Sequence, residues 1–484
     1  MPVLCVCSGW SMKILILGCG QVGSAVAKSL AQQPNNDVTV IDINAASIQR
    51  LSDSLDIQTL IGSCTSPYIL QAAHIEVCDL LLALTGHDET NLVACQLASR
   101  LYNTPESIAR VRQAELVNAI ATTNEDEDEG EINRNIFDVS YYIRPEQLVT
   151  EQLFGLFQYH QVLQVLSFDD DTARLTVVQA QTGGAMIGKK LEQMQVILTE
   201  RGKANYDCQV SAIYRNNRLI IPQQETTIIE GDEIYVLART EHMTQVLRLF
   251  RPDEDLGRRV MIAGGGNIGY RLAKLLEPSC NVKIIEHGKA RAEWLADNLN
   301  NTLVLQGSAT DESLLIQENI DEIDVFCALT NDDEDNVMSS LLANNLGAKQ
   351  IMTIINRTSY VDLLQGNQID IVVSPHLITI GSILSHIRRG DMVAVYPLRH
   401  GTAEAIEVIL HGDRKTSKLV GRRLQEIKLP NSCYFAAVGR DGDWVMAHQR
   451  DWILQEGDHV IFFVAQSRYV QDLEKTIAVK FGFF

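Results

Sequence analysis

The chain has 484 residues, 46% of them apolar, which suits several packed globular domains. Its net charge of −20 argues against nucleic acid and against direct adsorption to anionic lipid. No run reaches the roughly 18 apolar residues of a membrane helix, and Met1-Pro2-Val3-Leu4 lacks the basic region of a secretory signal. The 10 cysteines show neither CxxC spacing nor a dense framework, so they read as reduced thiols of a cytosolic protein.

In chain order, Met12 directly precedes a first apolar strand, Lys13-Ile14-Leu15-Ile16-Leu17, so the folded part is expected to begin there with residues 1–11 as a tail. That strand runs into Gly18-Cys19-Gly20-Gln21-Val22-Gly23, a GxGxxG turn that opens a helix-like stretch. A second strand, Val40-Ile41, ends on Asp42. Strand, glycine turn, helix, strand and acid in this order predict a dinucleotide-binding α/β unit. The glycines permit a tight turn and close approach of a phosphate. The helix N-terminus then offers free N–H groups and partial positive charge to a pyrophosphate. Asp42 is placed to accept hydrogen bonds from an adenosine ribose, which favours NAD(H) over a 2′-phosphorylated dinucleotide.

Further strand ends are expected along the same crevice. Ser63 and Cys64 follow Leu60-Ile61-Gly62, and Thr85 follows Leu80-Leu81-Leu82-Ala83-Leu84. Arg110 ends Ile108-Ala109; it and Arg112 suit either a phosphate or a surface ion pair. Asp88 and Glu89 open the next helix, where acids complement the helix dipole. The run Asn124-Glu125-Asp126-Glu127-Asp128-Glu129 reads as a solvated loop.

The landmarks then recur. Arg259-Val260-Met261-Ile262-Ala263 leads into Gly264-Gly265-Gly266-Asn267-Ile268-Gly269, and Ile284-Ile285 ends on Glu286. Thr330-Asn331-Asp332-Asp333-Glu334 mirrors Thr85-Gly86-His87-Asp88-Glu89, while Ala109-Arg110-Val111-Arg112 lies opposite Ile354-Ile355-Asn356-Arg357. Ile187-Gly188-Lys189-Lys190-Leu191 matches Val420-Gly421-Arg422-Arg423-Leu424, and Glu230-Gly231-Asp232 matches Glu456-Gly457-Asp458. Each half is therefore a larger α/β unit followed by a smaller, strand-rich one. The acidic run sits where the first half is longer by about fifteen residues, as insertions in repeats usually fall in loops.

No catalytic set accompanies either fingerprint. The 11 histidines are scattered; His74 and His87 have no partner in sequence, and His376 and His386 share one expected helix without pairing. A dehydrogenase would need an acid or base beside the nicotinamide and a substrate pocket.

In combination, Ile-Leu-Gly-x-Gly-Gln-Val-Gly from Ile16, Thr85-x-x-Asp88-Glu89-Thr90-Asn91, Ile108-Ala109-Arg110-Val111-Arg112, Arg144-Pro145-Glu146-Gln147-Leu148-Val149, Ser385-His386-Ile387-Arg388-Arg389 and Glu426-Ile427-Lys428-Leu429-Pro430 resemble the TrkA family, peripheral regulatory subunits of bacterial Trk potassium uptake systems. The resemblance runs from Met12 to about Phe484. It implies tandem RCK (regulator of potassium conductance) domains: two Rossmann-like parallel-sheet domains, each followed by a small α/β RCK C-terminal domain. Their expected bounds are residues 12–135, 155–239, 257–373 and 393–477. It implies NAD(H) as ligand, with ATP or ADP as further candidates, held by Gly18, Cys19, Gly20, Gln21, Val22, Asp42, Ser63, Cys64, Thr85 and Arg110. The second-half counterparts are Gly264, Gly265, Gly266, Asn267, Ile268 and Glu286. Cys64 departs from the polar or glycine residue common in the family. The resemblance further implies no catalysis, a membrane potassium-translocating Trk subunit as partner, a homo-oligomeric ring, and a cytoplasmic place at the inner face of the membrane held through that partner. A diverged NAD-dependent oxidoreductase and a stand-alone nucleotide-sensing scaffold are the alternatives from the residues themselves.

Overall fold

The computed structural model describes residues 12–31, 36–113, 137–159, 162–169, 171–201, 207–216, 218–252, 259–357, 360, 364, 369–387, 392–398, 402–440, 442–446 and 451–479. The N-terminal tail and the acidic run at Asn124 lie outside them. The chain packs as two units, one built on the first parallel sheet and the other on the remaining three sheets.

The first unit is a six-stranded parallel sheet. Its strands are β1 (Met12–Leu17), β2 (Asn36–Asp42), β3 (Gln58–Ile61), β4 (Leu80–Ala83), β5 (Glu106–Arg110) and β6 (Tyr141–Ile143), in the order β3-β2-β1-β4-β5-β6. Ile14, Leu15, Ile16 and Leu17 are all buried, because helices cover both faces of such a sheet and leave no polar side. The helix Gln21–Ala31 turns Val22, Val26, Ala27 and Leu30 inward, a helical stripe. The helix Asp88–Tyr102 stops at Asn103, whose left-handed conformation (φ 53°) closes its C-terminus. The strand order turns back between β1 and β4, the kind of switch point at which parallel α/β sheets take their ligands, and Gly18 packs against Thr85 there.

The second unit holds three sheets. Strands β7 (Val162–Phe168), β8 (Ala173–Gln179), β9 (Cys208–Arg215), β10 (Arg218–Ile220) and β11 (Glu233–Arg239) form an antiparallel sheet in the order β10-β9-β11-β8-β7. A second parallel sheet follows: β12 (Arg259–Ala263), β13 (Asn281–Glu286), β14 (Leu303–Gln306), β15 (Val325–Ala328), β16 (Ile351–Ile354) and β17 (Ile371–Val373). Its order, β14-β13-β12-β15-β16-β17, repeats the first sheet strand for strand. The last sheet, β18 (Met392–Leu398), β19 (Ala403–Ile409), β20 (Cys433–Arg440), β21 (Asp443–Met446) and β22 (His459–Val464), is antiparallel in the order β18-β19-β22-β20-β21.

The two antiparallel sheets share one core. Phe168, Leu175, Val177, Tyr235 and Leu237 of the first pack with Leu398, Ala405, Trp444, Ile461 and Phe463 of the second. Polar ties cross the same seam: Tyr396 O–H donates to the Ser167 carbonyl at 2.7 Å, and Trp444 Nε1–H to Thr172 Oγ1 at 2.9 Å. Each sheet also carries the same internal brace. Asp232, fully buried, takes a two-pronged contact from Arg215 at 2.8 Å, and Asp458 takes one from Arg440 at 2.6 and 2.8 Å. These are the Gly-Asp positions that recur in the sequence, and their role in the fold is structural.

Candidate functional site

The first glycine turn separates into supporting and open positions. Gly18 has φ +101° and its missing Cβ would lie 2.9 Å from the Thr85 backbone nitrogen, so only glycine lets β1 and β4 close there. Gly23 faces the Gly18 carbonyl at 1.9 Å from where a Cβ would stand. Gly20 is different: nothing lies within 4 Å of its Cβ position. Gly20 and Gln21 are exposed at the start of the helix, whereas Val22 belongs to the core. The second turn repeats this pattern at Gly264 (φ +102°, 2.9 Å from Thr330 nitrogen), Gly269 and the open Gly266. Asn267 is exposed and Ile268 half-buried at that helix start.

Asp42 braces the loop from the end of β2. Its carboxylate accepts the Cys19 N–H at 2.5 Å and the Asn44 N–H at 2.7 Å. Glu286 does the same at the end of β13, accepting from Gly265 at 2.9 Å and Gly288 at 2.7 Å. Each carboxylate oxygen retains further lone pairs for a ligand hydroxyl. Gly265 is packed under Leu295, whose Cδ1 lies 2.2 Å from its Cβ position. Cys19 in the matching place turns its thiol toward Ser24 Oγ and the Ser47 carbonyl, both at 3.4 Å, and burial raises its pKa.

The remaining first-half residues divide. Ser63 bonds Thr65 Oγ1 at 3.1 Å on the rim. Cys64 points inward: it is 6% exposed, sits in the core with Leu70 and Ile75, and burial pushes its thiol up to about 11. Its side chain therefore serves packing, with Sγ–H directed at the Ile41 carbonyl at 3.8 Å. Thr85 is held by Asn91, whose Oδ1 accepts from both the Thr85 N–H (2.9 Å) and O–H (2.7 Å). Asn91 also donates to the Arg110 carbonyl at 2.8 Å, clamping β4 to β5. Asn336 makes the same bonds to Thr330 and Ile354.

That hydrogen-bond pattern corrects the alignment of the halves. Arg110 corresponds to Ile354, not Ile355, and Arg112 to Asn356. The buried carboxylate of Asp88 accepts the Arg112 and Gln113 N–H groups at 2.8 and 2.9 Å; Asp333 takes those of Asn356 and Arg357, both at 2.8 Å. These acids tie a helix start to a strand end in addition to complementing the dipole. Arg112 pairs loosely with Glu146 at 3.8 Å. Arg110 Nε, by contrast, is buried with no hydrogen-bond partner, and its pKa is lowered by burial first and by Arg112 next. A buried guanidinium nitrogen without an acceptor is costly unless an anion completes it. The second half has no such cation, since Ile354 is a buried apolar residue. There Arg291 lies over the loop instead, donating to the Gly265 carbonyl at 2.7 Å and stacking on Trp294 at 4.1 Å.

Among the scattered histidines, His376 is buried with Nδ1 2.5 Å from the Asn356 carbonyl, a structural contact. No helix among the described residues is long and apolar enough to cross a membrane.

A doubled Rossmann-like sheet, each with a glycine turn and an acid on the second strand, and each followed by a small antiparallel α/β domain, defines a tandem RCK-type chain. The comparisons with known proteins agree. The TrkA-N domain family matches residues 14–127 and 260–375, and the TrkA-C domain family residues 175–251 and 414–477. The chain belongs to the TrkA family. It is 44% identical over 473 residues to the Trk system potassium uptake protein TrkA of Halomonas elongata, spanning 98% of this chain and 100% of that one. It is 42% identical to the protein of the same name from Vibrio alginolyticus, over 96% and 98% of the two chains. In fold it resembles the GsuK RCK domain, with a TM-score of 0.60 at 18% identity over 99% and 97% of the chains. The GsuK channel bound to NAD gives 0.59 at 17% identity over 99% and 81%.

Proposed function

We propose that this chain is a nucleotide-sensing regulatory subunit that gates a membrane potassium-translocating Trk partner, with NAD(H) as the ligand of its first fingerprint. The observation that carries the reading is the buried, unpaired Nε of Arg110 in the same sheet as the open Gly20 turn. A pyrophosphate at Gly18, Cys19, Gly20, Gln21 and Val22 would meet the helix N-terminus, with Arg110 supplying positive charge and an Nε–H that has no acceptor in the structure. Asp42 then takes the ribose hydroxyls, and Ser63, Cys64 through its backbone, and Thr85 border the remainder of the ligand. In the second half Gly264, Gly265, Gly266, Asn267, Ile268 and Glu286 would form the corresponding cradle, where Arg291 is the cation at hand; ATP and ADP are further candidate ligands of the chain.

Gating follows from unequal binding. A nucleotide that prefers one arrangement of the RCK assembly shifts its population by no more than the difference in affinity. The assembly is proposed as a homo-oligomeric ring on the cytoplasmic face of the inner membrane, attached through its partner. The domain bounds proposed are residues 12–135, 155–239, 257–373 and 393–477. No substrate domain and no acid–base pair is found beside either glycine turn among the described residues, which favours regulation over hydride transfer. The naming of the relatives as potassium uptake proteins supports transport as the process controlled.

The test is rubidium uptake in a strain lacking the gene and no other potassium system, complemented by the unmutated chain or by Gly20→Asp. Deletion should impair uptake and growth at low potassium, and Gly20→Asp should dock on the membrane subunit yet lose nucleotide control. Normal uptake in the deletion strain would rule out the transport reading. Steady NADH turnover with oxo acids, abolished by Gly20→Asp, would revive the oxidoreductase.

A further inference from the structure

Glu407 stands at a position that the repeat fills with valine. In the first antiparallel sheet Val177 pairs across to Tyr235, and in the second Glu407 pairs across to Ile461 at the matching place. Val177 is 3% exposed and Glu407 1% exposed, so a carboxylate occupies what is otherwise a core site. Burying a carboxylate is expensive unless it is neutralised. One imidazole and one backbone N–H reach it. His459, at the start of β22 where the first half has Glu233, brings Nδ1 to 2.7 Å from Glu407 Oε1. Asp169, just after β7 on the other antiparallel sheet, brings Oδ1 to 3.6 Å from the same Nδ1. The Asp169 N–H also donates to Glu407 Oε2 at 3.4 Å.

The ligand atoms of the three residues lie within 4.8 Å of one another. Donor atoms bonded at about 2.1 Å to one tetrahedral ion lie about 3.4 Å apart. Asp169 Oδ1 is already near that spacing from His459 Nδ1 at 3.6 Å, while His459 and Glu407 would exchange their 2.7 Å hydrogen bond for metal contacts and separate by about 0.7 Å. The charge balance also favours a cation. Two carboxylates against one imidazolium leave a net negative charge on a buried seam, whereas a divalent ion with a neutral imidazole balances both. The side chains of Asp169 and His459 are 24% and 25% exposed, so two of the three donors border solvent. One imidazole with two carboxylates suits zinc and its first-row neighbours and disfavours the all-oxygen preference of magnesium and calcium.

The geometry points to a divalent transition-metal site formed by Asp169, Glu407 and His459, joining the two antiparallel sheets at their shared seam. The ion ties β7 of one sheet to β19 and β22 of the other. It is independent of the nucleotide reading, because no residue of either glycine turn takes part.

The full-length chain, freed of metal by a chelator, is titrated with zinc against a chromophoric zinc indicator, beside Glu407→Val, Glu407→Gln, Asp169→Asn and His459→Gln. The valine variant takes the repeat's own residue, and the glutamine variant keeps the shape of Glu407 in case valine disturbs folding. The unmutated chain should bind one zinc per chain, magnesium should not displace it, and each folded variant should bind more than about 100-fold more weakly. Zinc should raise the melting temperature of the unmutated chain and of none of the variants. If the variants bind zinc as tightly as the unmutated chain, or if the latter binds none, the proposal is overturned. In the second case the cluster is a His459–Glu407 hydrogen bond with Asp169 beside it and no ion.

Discussion

The Asp42 carboxylate holds the first glycine turn by accepting the Cys19 N–H at 2.5 Å. The residue proposed to read the ribose thus also shapes the loop proposed to hold the phosphates. Asp42→Ala should weaken NADH binding by about 1–3 kcal/mol through lost charge-assisted hydrogen bonds. Asp42→Asn keeps an acceptor for Cys19 and should lose less. Calorimetric titration with NADH and NADPH checks both, and the unmutated chain should bind NADPH poorly. Equal affinities for the two would remove the ribose role and leave Asp42 as a loop brace.

The two open and closed glycines should behave oppositely. Gly20→Val or Gly20→Asp meets no neighbour within 4 Å, so the melting temperature should hardly change while nucleotide binding is lost. Gly18→Ala forces a side chain into φ +101° against the Thr85 backbone at 2.9 Å. It should cost at least about 1–2 kcal/mol of stability, read by chemical denaturation. A stable Gly18→Ala chain would mean the turn can rearrange.

Arg110→Met tests the buried guanidinium. The change removes a buried nitrogen that lacks an acceptor but also a charge that Glu146 and Asp88 favour, so the stability of the nucleotide-free chain should change little. NADH affinity should fall by about 1.5–3 kcal/mol, the range for hydrogen bonds to charged groups. Arg112→Met, which touches a loose pair at 3.8 Å, should leave affinity nearly unchanged. Equal losses from both would point to a long-range charge effect instead of a specific contact.

Thiol chemistry offers a pH test. Burial pushes Cys64 and Cys78 from an ordinary 9.0 up to about 11, and Cys95 and Cys208 up to about 12. The folded chain should resist alkylation of these four at pH 8, as judged by mass spectrometry of trapped adducts. Their folded pKa is raised, so the unfolded chain loses protons first. Stability should be fully present below pH 9 and decline as pH rises from about 9 to 11. Rapid labelling of Cys64 at pH 8 would show that its thiol faces the crevice.

Much of this architecture was legible in the linear order of residues. Gly18, Gly20 and Gly23, the strand before them and Asp42 after them are local signals, because a strand-to-helix turn is decided by neighbours in sequence. Their recurrence at Gly264, Gly266, Gly269 and Glu286 made the doubling readable, and the parallel and antiparallel sheets bear it out. What the linear order could not separate was Arg110 from Arg112, or Ser63 from Cys64. Arg112 lies past the end of β5, and Ser63 and Cys64 past the end of β3, where no strand or helix period says which side chain turns inward. The clamps made by Asn91 and Asn336, the cover of Arg291 over the second turn, and the meeting of Asp169, Glu407 and His459 were likewise decided by tertiary structure alone. Each joins groups far apart in sequence, and a polar side chain carries no local mark of the partner that folding will bring to it.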